Sequence, residues 1–256
     1  MHGPPFLDRT DAGRRLAKKL EPLRNERPVV LALPRGGVPV AAQVARSLGA
    51  PLDVIVVRKL GVPFQRELGF GAIGEGGIRL LDMDLIRRAR LTDRDVAEVE
   101  ANERRELDRR VHLYRGQRPP RDVADRTVVI VDDGLATGGT ARVAVQVVRA
   151  MGARRIVLAV PVAPSETVRE LESEADRVVC LVTPNPFSGV GQWYEDFRQT
   201  SDDEVAELLR RAGTDETSEA TPAAPVVISE VAIPIGGVTL DGFQCGPMDR
   251  HRKPDL

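Results

Sequence analysis

The chain has 256 residues, 42% hydrophobic, 29% charged and 4% aromatic, with a formal net charge of -1. That length admits one medium α/β domain plus an appendage, and the scarcity of aromatics leaves Val, Leu, Ile and Ala to fill the core. The near-zero charge argues against non-specific nucleic-acid binding, which needs a strong basic excess, and no stretch has the apolar length of a membrane span.

Met1–Asp8 has no basic start followed by an apolar run, so no secretory signal is read and the cytoplasm is the expected location. Pro28–Leu33 reads as a buried strand, Val38–Leu48 as a helix stopped by Gly49, and Leu52–Val57 as a second strand. Asp82–Gly116 is a long charged stretch with a thin apolar stripe of Val96, Val99, Leu107 and Val111. Thr92 followed by Asp95 marks its N-cap and Gly116 its stop. It reads as a surface helix packed on one side, or as a cover over a site or a dimer face.

Thr127–Val131, Arg155–Val160 and Arg177–Val182 are three further apolar strands, separated by helical stretches at Thr140–Met151 and Ser165–Glu174. Continuous apolar strands alternating with helices predict an α/β fold, a parallel sheet flanked by helices. Ligands bind such sheets at the carboxyl ends of the strands. Cys180 sits in the apolar run Val178–Val182 and reads as a small core residue; with the distant Cys245 it forms no metal-type spacing. Gly213–Pro225 is polar and Pro-rich and reads as a linker. The boundaries are therefore 1–212 for the domain, 213–225 for the linker and 226–256 for a tail too small to bury a core alone.

The strongest chemical signal is Val128–Thr140, VVIVDDGLATGGT. A buried strand ends in the adjacent acids Asp132 and Asp133, and a turn then opens a helix. Helix N-termini present free N–H groups and attract phosphate. Gly138 and Gly139 let backbone approach an anion without an intervening Cβ, and Thr137 and Thr140 add hydroxyl donors and helix caps. Adjacent carboxylates repel by roughly 1 to 4 kcal/mol. Sugar hydroxyls donating hydrogen bonds offset that, as does a divalent cation. Phosphate, hydroxyls and a neighbouring metal together describe a sugar phosphate.

This string resembles the 5-phosphoribosyl-1-pyrophosphate (PRPP) motif of the type I phosphoribosyltransferases. The resemblance implies that Asp132 and Asp133 hold the ribose hydroxyls and neighbour Mg²⁺, and that Ala136, Thr137, Gly138, Gly139 and Thr140 wrap the 5′-phosphate. Gly134 departs from the family, which has an aliphatic residue there. Leu33-Pro34-Arg35-Gly36-Gly37 looks like the family's pyrophosphate loop, with Arg35 offering a guanidinium and Gly36 and Gly37 backbone N–H groups. Arg58-Lys59-Leu60-Gly61-Val62-Pro63 is similar to the start of the family's mobile loop. Lys59, and with it Arg58, is expected to reach the pyrophosphate, and Phe64–Gly77 to be the loop itself, closing over an oxocarbenium-like transition state.

The acceptor stays open. Ala136 stands where 6-oxopurine transferases carry an Asp, which brings the string closer to adenine transferases. Those use a loop Glu, and Glu67 falls in that region, as a general acid/base or as a solvated charge. Phe187, Trp193 and Tyr194 are similar to the base-stacking segment of 6-oxopurine transferases, or are local packing. The tail Val227–Pro247 looks like the opening strands of dienelactone-hydrolase-like enzymes. It lacks a Gly-x-Ser-x-Gly elbow and reads as the truncated start of a fused hydrolase in a longer form.

The resemblance thus implies a Mg²⁺-dependent, homodimeric enzyme that moves 5-phosphoribosyl from PRPP to a nitrogenous acceptor. A PRPP-binding regulatory protein without turnover, and a partner module for a fused hydrolase, are the alternatives.

Overall fold

The computed structural model describes residues 5–214 and 232–234, except the side chains of residues 66, 67, 214 and 232–234. Five strands form a parallel sheet: β1 (Val29–Ala32), β2 (Leu52–Val54), β6 (Thr127–Val131), β7 (Arg155–Val162) and β8 (Arg177–Val182), in the order β2-β1-β6-β7-β8. The expected α/β class holds. Successive side chains of a strand point to opposite faces, and each face fills its own core. Val30, Ala32, Val129, Val131, Val157 and Ala159 pack under α1 (Arg9–Leu20) and α2 (Gly37–Leu48). Leu31, Val128, Ile130, Ile156 and Leu158 pack under α5 (Gly139–Ala150) and α6 (Ser165–Leu171).

A second sheet packs beside α5. Its strands are β3 (Val57–Val62), β4 (Gln65–Gly74), β5 (Arg79–Leu81) and β9 (Ala232–Pro234), antiparallel except for the parallel pair β5–β9. The segment Leu52–Val57 is therefore not one strand: the chain leaves the parallel sheet after Val54 and enters the second sheet at Val57.

A larger correction concerns Phe64–Gly77. The expected mobile loop is mostly strand β4, joined to β3 by a turn at Pro63 and Phe64. Phe70, Ala72 and Ile73 are buried there. The strand glycines serve close packing: a Cβ on Gly71 would stand 2.4 Å from the carbonyl oxygen of Leu80 on β5, whereas Gly76 and Gly77 take φ of 70° and 80° in the turn that follows. Glycine within the strand here marks close approach of neighbouring chains.

The charged stretch forms two helices, α3 (Met83–Arg88) and α4 (Asp93–Arg115). Thr92 and Asp95 make a reciprocal capping box at the start of α4. Val96, Leu107 and Tyr114 turn inward, and α4 packs on β3 and on α7 (Asp202–Thr214). Helix α7 runs two residues past the expected domain boundary at 212. The remaining linker and the hydrolase-like tail lie outside the described residues, apart from Ala232–Pro234.

The C-terminus of α4 is fastened by a buried ion cluster. Arg115, whose side chain is 4% exposed, lies 3.0 Å from Asp53 Oδ2 and pairs through Nη1 with Glu75. It also donates to the carbonyl of Val54 at 2.9 Å, while Glu75 Oε1 accepts from the N–H of Val56 at 2.9 Å. One guanidinium thus joins β2, the end of β4 and α4 beside the strand that carries Arg58 and Lys59. Burial, outweighing the Arg115 hydrogen bond, holds the Glu75 carboxyl above its usual range.

Candidate active site

β1 and β6 are neighbours, so the loops that leave their carboxyl ends lie side by side. The N–H of Leu33 donates to the carbonyl of Val131 at 2.8 Å, tying the two exits together. Beyond Leu33 a tight turn, which includes a cis peptide between Pro34 and Arg35, runs into α2. There is no room in this joint for side chains. A Cβ on Gly36 would stand 2.0 Å from Asp133 Oδ2, and one on Gly37 would stand 2.6 Å from the Val131 carbonyl oxygen and 2.9 Å from Asp132 Cα.

The loop after β6 is fixed from β7 and α6. Leu135 N–H donates to the Val162 carbonyl at 2.9 Å, and Thr167 Oγ1 to the Ala136 carbonyl at 2.8 Å. Gly138 takes φ of 71°, a left-handed conformation that favours glycine, and α5 starts at Gly139. Thr137, Gly139 and Thr140 from this loop, Leu33 and Pro34 from the β1 loop, and Arg58 and Lys59 from β3 line one cavity of about 400 Å³. Three separate sequence signals meet there. Arg110 of α4 lines the same cavity, which supports reading α4 as a cover over the site.

A second cavity, about 550 Å³, opens on the other side of Lys59, between β3 and the acidic face of α4 at Asp95, Glu98 and Glu103. Arg58 Nε donates to Glu103 Oε2 at 2.7 Å. Arg35 sits 3.8 Å from Asp202, a carboxylate that also accepts from the Tyr114 hydroxyl at 2.8 Å. Arg58 on the wall of the first cavity is thus held by an acid of α4, and Arg35, which does not line that cavity, by an acid of α7.

Asp132 and Asp133 are half-buried at the end of β6. Burial, and then the charge of Asp133, raise the Asp132 carboxyl well above its usual range. Asp133 has a fixed countercharge, with Arg9 Nε 2.7 Å from Oδ2. Among the described residues no three His, Cys, Asp or Glu side chains gather as a metal cage. The two adjacent acids offer oxygen ligands of the kind that suit a hard cation such as Mg²⁺.

Phe187 and Trp193 both join an aromatic cluster around Phe6, Tyr194 and Phe197. That cluster touches the acid pair, because the Tyr194 hydroxyl donates to the Asp133 carbonyl at 2.5 Å. Glu67 lies in β4, and its side chain is outside the described residues. Sequence reasoning missed Arg9 and Arg110, since neither belongs to a motif.

The class of protein is set by this arrangement: an α/β domain with two anion-type loops and paired acids at the carboxyl edge of a parallel sheet. Residues 7–64 and 72–196 match the family model of the phosphoribosyl transferase domain, and the chain belongs to that family. It is 51% identical over 249 residues to Rv0571c of Mycobacterium tuberculosis H37Rv, provisionally named a phosphoribosyl transferase; the match covers 94% of this chain and 56% of that protein. The chain thus spans about half the length of the curated relatives it matches most fully. The crystal structure of TT1426 from Thermus thermophilus superposes with a TM-score of 0.74 at 45% identity, over 80% of this chain and 98% of that one. A shorter match, 39% identical over 59 residues, is to the uracil phosphoribosyltransferase of Clostridioides difficile, covering 23% of this chain and 28% of that protein. The fold is that of the type I phosphoribosyltransferases.

Proposed function

We propose that this chain transfers the 5-phosphoribosyl group of PRPP to a nitrogenous acceptor and releases pyrophosphate. The observation that carries the reading is the contact of Gly36 and Gly37 with Asp132 and Asp133, beside a cavity shared by the β1 loop, Arg58–Lys59 and Thr137–Thr140. Ribose hydroxyls, pyrophosphate and 5′-phosphate each find matching chemistry within one joint.

In the reaction the bond from C1′ to the pyrophosphate oxygen breaks, and its electron pair leaves with pyrophosphate. A bond from C1′ to the acceptor nitrogen forms, and that nitrogen gives up its proton. Lys59, Arg35 and Arg110 hold the departing phosphates by charge. The N–H groups at the start of α5, with Thr137 and Thr140, hold the 5′-phosphate. Asp132 and Asp133 accept from the ribose hydroxyls and orient C1′. Asp132 and Asp133 would neighbour Mg²⁺, which when bound would neutralise charge on the pyrophosphate. Phe187 and Trp193 share the aromatic cluster whose Tyr194 touches Asp133, and they are assigned to the acceptor. Glu67 is assigned to proton transfer at that acceptor. We place the enzyme in the cytoplasm as a homodimer.

The test is pyrophosphate release from PRPP and Mg²⁺ over a panel of purines, pyrimidines and simple amines. Release with one class establishes the transferase. Tight PRPP binding with no release from any acceptor establishes instead a PRPP-binding regulatory protein.

A further inference from the structure

Arg9 is the first residue of α1. Arg9 comes from a segment remote from every loop of the site, yet its guanidinium is committed to the acid pair. Nε donates to Asp133 Oδ2 at 2.7 Å, and Nη1 donates to the Arg198 carbonyl at 2.7 Å. The guanidinium carbon lies 4.0 Å from the centroid of the Phe197 ring. The two charged side chains are only 11% and 14% exposed.

Asp133 is gripped twice. Arg9 holds its carboxylate, and the Tyr194 hydroxyl holds its carbonyl at 2.5 Å. The grips share one platform, since the Tyr194 and Phe197 rings lie 5.0 Å apart. The N-terminal segment is itself laced to this platform: Phe6 N–H donates to the Trp193 carbonyl at 3.2 Å, Glu195 N–H to Phe6 at 2.9 Å and Asp196 N–H to Leu7 at 2.9 Å. Asp8 caps α1 by accepting from Asp11 N–H at 2.7 Å. The chain start and the segment after β8 thus form a brace that delivers one cation to one carboxylate.

A salt bridge meant only to dock α1 would have many surface acids to choose from. This one selects the acid that lies against Gly36 at the exit of β6. We propose that Arg9 is the positioning residue of the ribose subsite. It is the permanent countercharge of the acid pair and fixes the edge that Asp133 presents to a ribose hydroxyl. This rests on the phosphoribosyl reading above and adds to it a residue outside the loops. Planarity matters as much as charge, because the guanidinium bridges Asp133 and the Arg198 carbonyl while stacked on Phe197.

The experiment compares ribose 5-phosphate, 2-deoxyribose 5-phosphate and inorganic pyrophosphate as ligands, by calorimetry, on the full chain. Wild-type protein is expected to prefer ribose 5-phosphate over its deoxy analogue by about tenfold, the worth of a hydrogen bond to a charged group. In Arg9→Ala that preference is expected to fall to about twofold or less, with pyrophosphate affinity within about twofold of wild type. A purely structural role would weaken both ligand types together and leave the ratio intact, and an intact ratio overturns the proposal. Arg9→Lys keeps the charge and the stem and serves if the alanine variant does not fold. It is expected to lose part of the ratio, and a full ratio there also overturns the proposal. Wild-type protein that binds neither PRPP nor ribose 5-phosphate overturns the underlying function as well, which separates the two failures.

Discussion

Gly36 lies so close to Asp133 that a single methyl group on its Cα would stand 2.0 Å from the carboxylate oxygen Oδ2. Its own φ of -59° is open to any residue, so the constraint is the acid and not the backbone. The first anion loop and the acid pair are therefore one unit that must move together. Gly36→Ala is expected to displace Asp133 or the loop and weaken PRPP binding by about tenfold or more, the worth of a hydrogen bond to a charged group. Thermal stability should change far less than affinity. Calorimetric affinity within about twofold of wild type would show that the loops are not coupled.

Arg110 is the contribution of α4 to the phosphate cavity. Arg110→Ala is expected to weaken pyrophosphate binding about tenfold, as the loss of one charge-assisted contact, and to reduce the salt dependence of that binding. Titrations at low and high salt check both.

Arg115 neutralises Asp53 and Glu75 in a site closed to water. Arg115→Leu leaves two buried carboxylates uncompensated and is expected to cost about 3 to 5 kcal/mol. The sign of its pH dependence follows. A carboxyl whose folded pKa is raised contributes stability at low pH and loses it as pH rises through that value. Glu75 is already raised by burial in wild type, and losing the cation raises it further. The variant should therefore regain stability on acidification from neutral pH. Urea midpoints at about pH 7 and about pH 5 read this directly.

Tyr114 behaves in the alkaline range. Burial, followed by its hydrogen bond to Asp202, pushes its hydroxyl up to about 12 from an ordinary value of 10.0. Its contribution to stability is present below the ordinary value and is lost as pH rises through about 12. Between about pH 9 and about pH 11.5, wild type should lose more stability than Tyr114→Phe, measured as the shift in urea midpoint.

The central site was legible because each of its parts is local. Val128–Val131 announces a buried strand, the acids sit at its end, and Gly138–Gly139 opens a helix; none of this needs tertiary contacts. Segment 64–77 misled for a physical reason. Glycine signals both freedom and close approach, and only the packed strand shows that Gly71 makes room for Leu80. Helix α1 carried readable signs, Asp8 as cap and Ala12, Leu16 and Leu20 on one face, but its helical pattern gives no hint that Arg9 reaches the acid pair. Arg110 was hidden likewise, among the many charges of α4, until the helix was placed over β3.

The most direct measurement is calorimetric titration of PRPP with Mg²⁺ into wild type and into Asp132→Asn with Asp133→Asn. The phosphoribosyl reading predicts clear binding to wild type and none detectable to the double variant, while inorganic pyrophosphate still binds both. Equal PRPP affinity in the two proteins would contradict the assignment of the acid pair to the ribose, and with it the account of this site.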